Sequence, residues 1–447
     1  MTADHISRHF EALGMASSEA ASRASLMTKV EQGFRAAVGG GPAWRWFVPG
    51  RIEVFGKHTD YAGGRSLLAA VPRGIAVVAR PRPDQIVRVV DVRYGASVEI
   101  DAGDATSTRR GFANYIRVVA RRFAENFPGA SLGTDIAIGS DLPRAAGVSS
   151  SSALVVGIAS ALARRAELPA RPEWQRHIGS VRDLAWYLGC VENGLDFPGL
   201  PGAAGVGTLG GSEDHTAIMT SRNGHVSQYQ FVPLAHLGDV PMPQEWTFVI
   251  ASSGIQADKA GSVLERYNRA ANGTRALLEL WNARSPEPAR SLGAVLAGDH
   301  GAERLRSCLG PSSDGAFTTE DLYRRLIHFM REDHRVALAA QAFAAADTNA
   351  LDALSAASQR DADELLGNQI PETRALAGVA RQAGAFAASS FGAGFGGSVW
   401  ALVPRAEAGS FSQRWVRAYQ HQRPEIGDVE CFEARPGPPL TELPGAS

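Results

Sequence analysis

Between Pro49 and Val71 the chain reads PGRIEVFGKHTDYAGGRSLLAAV, which sets Arg51, Lys57, His58 and Asp60 among the strand-like apolar residues Ile52, Val54, Phe55 and Leu67 and ahead of the pair Gly63-Gly64. Cations, an imidazole and a carboxylate packed that closely suit a strand end and turn facing a ligand, where a few polar groups converge over an apolar floor. A solvated hairpin would use the same residues, so the segment alone leaves both readings open. The His58-x-Asp60 pair could begin a metal site, but no third ligand follows at a suitable spacing.

Two further glycine-rich segments carry chemistry. In DLPRAAGVSSSSALVVGIASAL, Asp141 to Leu162, small residues run directly into an apolar, alanine-rich helical stretch. Loop amides followed by a helix N-terminus cradle an anion, because unpaired N–H groups and the positive dipole end converge on one point. The hydroxyls of Ser149, Ser150, Ser151 and Ser152 add donors for that anion and oxygens for a metal. Serine N-capping of a buried helix accounts for the same pattern. No stretch reads G-x-x-x-x-G-K-[ST], so a P-loop fold is unsupported. In SSFGAGFGGSVWALVP, Ser389 to Pro404, the run GAGFGG fits G-x-G-x-x-G formally, but Val399 to Val403 reads as a strand rather than a helix, and the dinucleotide-binding reading fails on that context.

The elements that must position these segments are legible in outline. Leu26, Val30, Phe34 and Val38 have helical spacing and predict an opening helix; GIAVVARP, QIVRVVDV and SVEIDA read as sheet; residues 114–126 and 153–166 turn helical and should cover that sheet. Residues 321–346 and 349–366 are strongly helical, and 384–403 return to strand, which predicts an α+β second lobe. The loop FPGLPGAAGVGTLGG, Phe197 to Gly211, reads as a flexible lid or a tolerated insertion, and the tail after Arg435 as loosely held.

Together the three segments resemble the signature motifs of the GHMP kinase superfamily, and G-x-H-T-D-Y-x-G-G in the first resembles its galactokinase branch. GSEDHTAIMTSRNGHV, Gly211 to Val226, is similar to the galactokinase stretch bearing the catalytic aspartate, and TFVIASSGIQADKAGSVLERYNRAA, Thr247 to Ala271, to the strand and helix ending in Tyr-Asn-x-Arg. The likeness spans roughly Phe34 to Pro404. It implies a two-lobed α+β GHMP kinase fold, with an N-terminal lobe over 1–230, a C-terminal lobe over 231–447 and the active site in the cleft between them. It implies ATP-dependent phosphorylation of the anomeric hydroxyl of galactose or a related monosaccharide.

By the same resemblance Asp214 corresponds to the base and Arg51 to the arginine paired with it, an arrangement that keeps a carboxylate ionised. Lys57, His58, Asp60, Gly211 and Tyr267 correspond to sugar-binding positions. Gly147, Ser149, Ser150, Ser151, Ser152 and Gly394 correspond to the ATP site, and Ser151 with Glu192 to the Mg2+ ligands, hard oxygens suited to that ion. Gly392, Gly396 and Gly397 would join Gly394 in letting backbone approach the phosphates and substrate.

The chain departs from the family where glutamate ordinarily stands at Lys57. Lysine has three donors and no acceptor, so the contact cannot be kept in kind. Either Lys57 pairs with the carboxylate of a sugar acid such as a uronate, or it pairs with Glu213, which replaces a usual methionine, and the substrate is neutral; both readings stand. His215 replaces a glutamine, and Ala388, Ser389, Ser390, Phe391 and Ser398 depart from the third motif. A non-catalytic sugar sensor is a rival, opposed by the intact Arg51, Asp214, Glu192 and Ser151. A mevalonate- or homoserine-type kinase is opposed by the run from His58 to Tyr61.

Composition sets the bounds. The 447 residues exceed one ordinary domain, 45% are hydrophobic and 20% charged, and a net charge of −1 gives no electrostatic argument for nucleic acid or an anionic membrane. Cys190, Cys308 and Cys431 are odd in number and widely spaced, against a disulfide framework. The start MTADHISRHF lacks a signal-peptide core, and no apolar run approaches the roughly 20 residues that cross a bilayer. These features predict a cytoplasmic protein without nucleic-acid or membrane partners, and the resemblance implies a sugar and ATP as partners of a monomer or weak homodimer.

Overall fold

The computed structural model describes residues 2–104, 111–143, 147–255, 261–309 (side chains from 263) and 316–444. Residues 144–146 of the serine-rich segment and 256–260 of the segment before Tyr267 lie outside that description.

Two mixed layers of sheet and helix are built from twelve strands among the described residues. These are β1 Trp44–Phe55, β2 Arg65–Pro81, β3 Ile86–Asp91, β4 Ala96–Asp101, β5 Thr134–Ser140, β6 His225–Gln230, β7 Ala235–Pro241, β8 Trp246–Ser252, β9 Ala387–Phe391, β10 Ser398–Pro404, β11 Cys431–Ala434 and β12 Thr441–Leu443. The first sheet runs β12-β1-β2-β5-β3-β4, with β6 joined to the early part of β2 and β7 to β6. The second runs β11-β8-β10-β9. Only β3 and β5 pair in parallel among the ladders of the described residues.

Alternation along β1 explains the layering, since successive side chains of a strand face opposite ways. Phe47 joins Val30 and Phe34 of the helix Ser17–Val38 in one apolar cluster, whereas Trp46 and Val48 join the helix Ser150–Arg165 in another. The second sheet divides similarly. Val399, Ala401 and Val403 face Phe411, Trp415 and Tyr419 of the helix Ala408–Gln422. Phe248, Ile250, Trp400 and Leu402 turn inward to the main core. Phe55 of the first sheet and Trp400 of the second meet edge-on with ring centroids 6.1 Å apart, so the sheets share one core.

Several expectations from sequence are adjusted. The opening helix starts earlier, at Ser17, and is preceded by another, Ala3–Ala12, that buries Ile6 and Phe10. A lobe boundary at 230 falls inside the β6–β7 hairpin, which belongs wholly to the first sheet. The tail after Arg435 is held, because β12 pairs with β1 and sets Leu443 opposite Arg45. The stretch 349–366 forms the helix Thr348–Asp361 and then a single wider turn, Ala362–Leu366, closed by Gly367. The loop from Phe197 to Gly211 is tied down: Val206 N–H donates to the Glu192 carbonyl, and Thr208 Oγ1 and Gly210 N–H both donate to Asn193 Oδ1. No helix among the described residues is long and apolar enough to cross a membrane.

Candidate active site

Strand β1 delivers the first two charged groups. Arg51 and Glu53 lie two residues apart and so point the same way, while Ile52 and Val54 are buried behind them. The register of β1 on β2 slips on either side of this pair, between Pro49 and Arg51 and between Glu53 and Phe55. Bulges of that kind re-aim side chains beside functional sites. The first slip coincides with Gly50, where an added Cβ would stand 2.6 Å from the Val148 carbonyl oxygen. That close approach lets Arg51 N–H donate to Val148 O and the Arg51 guanidinium to Gly147 O, which clamps the serine-rich loop on the strand.

Arg51 then reaches Asp214, the second residue of the helix Glu213–Thr220: its Nε and Nη2 both lie 2.7 Å from Oδ1. Burial alone would make the guanidinium less basic, but Asp214, Glu213 and Glu53 outweigh it and hold the cation. Ser152 Oγ lies 2.8 Å from Glu192 Oε2 and 3.2 Å from the other Asp214 oxygen, Oδ2, so its one proton serves the two carboxylates in turn. His215 Nε2 sits 3.0 Å from Glu192 Oε2 without the alignment of a hydrogen bond.

Around this centre lies a polar recess walled by Glu53, His58, Asp60, Asn193, Gly211 and Tyr267, among others. His58, held at a φ of 57°, packs on Tyr267 with ring centroids 5.4 Å apart; its Nδ1 meets Tyr61 OH at 3.0 Å and its Nε2 meets the Ala393 carbonyl at 3.3 Å. Asp60 Oδ2 accepts from Glu213 N–H at 3.1 Å, an approach that only glycine at 211 permits, since a Cβ there would stand 2.3 Å from that oxygen. Burial pushes the Asp60 carboxyl up to about 6, against the pull of the Glu213 and Tyr61 amides. Burial likewise raises Glu213 well above the carboxylate range, helped by Glu53 and Asp60, and its Oε2 takes a 2.6 Å hydrogen bond from Ser66.

A second cleft, lined by Phe112, Tyr115, Gly147, Ser149, Ser150 and Ser151, adjoins the recess. Arg51, Asp214 and Ala393 line both. Ser149 takes a left-handed conformation, φ 60° and ψ 42°, before the helix begins at Ser150, and its buried Oγ has no hydrogen-bond partner among the described residues. Gly392, at φ 78°, closes the junction: a Cβ there would meet Gly147 O at 3.0 Å.

Three sequence expectations change. Lys57 does not line the recess. Its ammonium is buried on the far side of the turn, donating to Ser358 Oγ at 2.6 Å and Ser389 Oγ at 2.8 Å, and it faces Glu332 rather than Glu213. Gly394 lines neither cavity and packs against Asn368, whose carbonyl oxygen would lie 2.4 Å from an added Cβ. The hydroxyl that reaches Glu192 belongs to Ser152, one residue beyond Ser151, which lines the cleft instead. Glu53 and Asn193 are site residues that sequence reasoning does not single out. A carboxylate inside the strand run Ile52–Phe55 is the available signal for the first.

A recess rich in hydroxyl-binding groups, joined through an arginine–carboxylate pair to a glycine- and serine-lined cleft at a helix start, defines a small-molecule kinase of GHMP type. Matches to family models agree: the galactokinase galactose-binding signature over 32–81, the GHMP kinases N terminal domain over 114–181 and the GHMP kinases C terminal over 339–421. The galactokinase of Chloroflexus aurantiacus is 30% identical over 379 residues, covering 83% of this chain and 87% of its own. That of Roseiflexus sp. is 29% identical, covering 87% and 91%. In fold, Lactococcus lactis galactokinase complexed with galactose superposes with a TM-score of 0.76 at 23% identity, covering 94% of this chain and all of that one. The chain belongs to the galactokinase family.

Proposed function

We propose that this protein transfers the γ-phosphoryl group of ATP to the anomeric hydroxyl of galactose or a closely related neutral monosaccharide. The observation that carries the reading is the position of Asp214 and Arg51 at the junction of the two cavities. A hydroxyl held in the recess meets a phosphate held in the cleft only there. Asp214 takes the hydroxyl proton as the oxygen attacks phosphorus, the bond to the ADP oxygen breaks, and Arg51 offsets charge that develops on the transferring group.

Mg2+ fits the pair formed by Ser152 Oγ and the Glu192 carboxylate, hard oxygens that already meet, and leaves Asp214 to act as base. Among the described residues no group of three or more His, Cys, Asp or Glu side chains could hold a metal alone, so phosphate oxygens and water complete such a site, as is usual for this ion. When bound it supplies charge neutralisation on the phosphates.

The recess favours a neutral sugar over a uronate. Its wall carries Glu53, Asp60, Glu192 and Asp214, while Lys57, the cation that a sugar acid would need, is bonded elsewhere. ATP consumption with galactose and galacturonate tests this: galactose turns over faster, and Asp214→Asn lowers its kcat by about 10² to 10⁴. Unchanged turnover in that variant removes the base assignment, and faster turnover of galacturonate removes the neutral-sugar reading. Three separate thiols accord with a cytoplasmic setting.

A further inference from the structure

Glu53 is a carboxylate of the recess wall with one oxygen left unpartnered among the described residues. It is 2% exposed. Its Oε2 accepts a 2.9 Å hydrogen bond from Gly392 N–H, which aligns the carboxyl group with the third glycine-rich segment, whereas Oε1 is buried without a hydrogen-bond partner. Glu53 lines the recess beside Arg51, on the same face of the strand and just before a register slip.

A buried carboxylate oxygen without a protein partner is costly, and in a native structure such a group is completed by water, an ion or a ligand. The neighbours do not complete this one. Arg51 gives its Nε and Nη2 to Asp214 and its Nη1 to Gly147; the Lys57 ammonium is bonded to Ser358 and Ser389; Glu213 and Glu332 repel rather than donate. Burial, ahead of the opposing pull of Arg51 and Lys57, lifts the carboxyl to about 7, as expected for a group awaiting a donor.

We propose that Glu53 binds the substrate, its Oε1 accepting a hydrogen bond from one non-reacting hydroxyl of the sugar and so selecting for that hydroxyl. This rests on the kinase reading for what occupies the recess, and it deepens that reading by naming a specificity residue. Gly392 fixes the carboxyl plane, so the accepting oxygen is preset and the contact discriminates between a hydroxyl and a group that cannot donate.

The test compares galactose with its 2-, 3-, 4- and 6-deoxyfluoro analogues at pH 8.5, measuring kcat/KM and, by calorimetry, sugar binding. A C–F group cannot donate, so wild-type protein should lose about 10- to 100-fold on one analogue, the range for a hydrogen bond to a charged group. Glu53→Gln keeps an oxygen for Gly392 N–H and presents its amide to the sugar as a donor, so the penalty on that same analogue should fall at least threefold while the other three ratios hold. Glu53→Asp, which keeps the charge but withdraws it by one methylene, should weaken galactose binding and flatten the same ratio. Identical analogue ratios in wild type and both variants overturn the proposal. Wild-type protein that binds galactose but transfers no phosphate overturns the kinase reading and leaves Glu53 to be judged on the binding ratios. Protein that binds none of the sugars overturns both.

Discussion

Lys57 shows how far one side chain can depart from what its motif suggests. The turn at Gly56 and Lys57 is held because both backbone N–H groups donate to Glu332 Oε1, at 3.1 and 3.3 Å. Ser358 donates to the same oxygen, and Arg335 to Oε2. Burial would raise the Glu332 carboxyl, but Lys57 and Arg335 outweigh it and hold it below its usual range. Lys57 is therefore the counter-charge of the group that shapes the turn leading to His58 and Asp60, and it acts through that group. Lys57→Met, of similar length but uncharged, leaves Arg335 as the remaining cation bonded to Glu332 and should cost about 3 kcal/mol in urea unfolding, the lower end for breaking a buried pair. The folded variant should keep its sugar KM within about threefold, since no substrate contact is lost. A KM change above tenfold with unaltered stability would instead place the ammonium on the substrate.

At the scale of elements, the site depends on how closely β1 and the serine-rich loop approach. Gly50 allows it, because any larger residue would drive a Cβ into the Val148 carbonyl. Gly50→Ala should therefore raise the KM for ATP about tenfold or more, since a misplaced cleft loses positioning, while sugar binding changes little. Steady-state kinetics with each substrate varied in turn separates the two; equal changes would show that the recess, not the loop, depends on this contact. Such dependence is partly legible in the sequence. The three glycine-rich segments and the spacing of Arg51, His58 and Asp60 can be read because local composition is set by the turns and helix starts they must form. Asp214 and Glu192 can be assigned only through family likeness, because their meeting with Ser152 is a contact between residues far apart in the chain. What the sequence hides is direction. Nothing in GKHTDY tells that Lys57 faces Ser358 and Ser389, which arrive hundreds of residues later, nor that the hydroxyl facing Glu192 is Ser152 and not Ser151. The terminal strand β12 escapes for a similar reason: three residues beside a proline-rich stretch show no period, and only β1 makes them a strand.

For the molecule as a whole, the seam between the two sheets carries a proton load that couples function to stability. Glu53, Asp60 and Glu213 are all buried there, and each holds its proton more tightly folded than unfolded: Asp60 rises to about 6, Glu53 to about 7, and burial lifts Glu213 well above the carboxylate range. A carboxyl raised on folding favours the folded state while protonated. That contribution is complete below the unfolded value near 4 and is lost as pH rises through the folded one. For Glu53, charging the buried group by pH 8.5 costs about 3 kcal/mol relative to pH 4.5, since each tenfold gain in proton affinity on folding is worth about 1.4 kcal/mol. Glu53→Gln cannot charge and keeps the Gly392 hydrogen bond, so it should lose correspondingly less stability over that interval. Urea unfolding of wild type and variant at half-unit steps from pH 4.5 to 8.5 reads the difference directly. It should open between about pH 5 and 8, because the raised group titrates there in wild type and is absent from the variant. A difference that stays constant across the range would mean Glu53 is already ionised at pH 4.5, with Arg51 and Lys57 prevailing over burial.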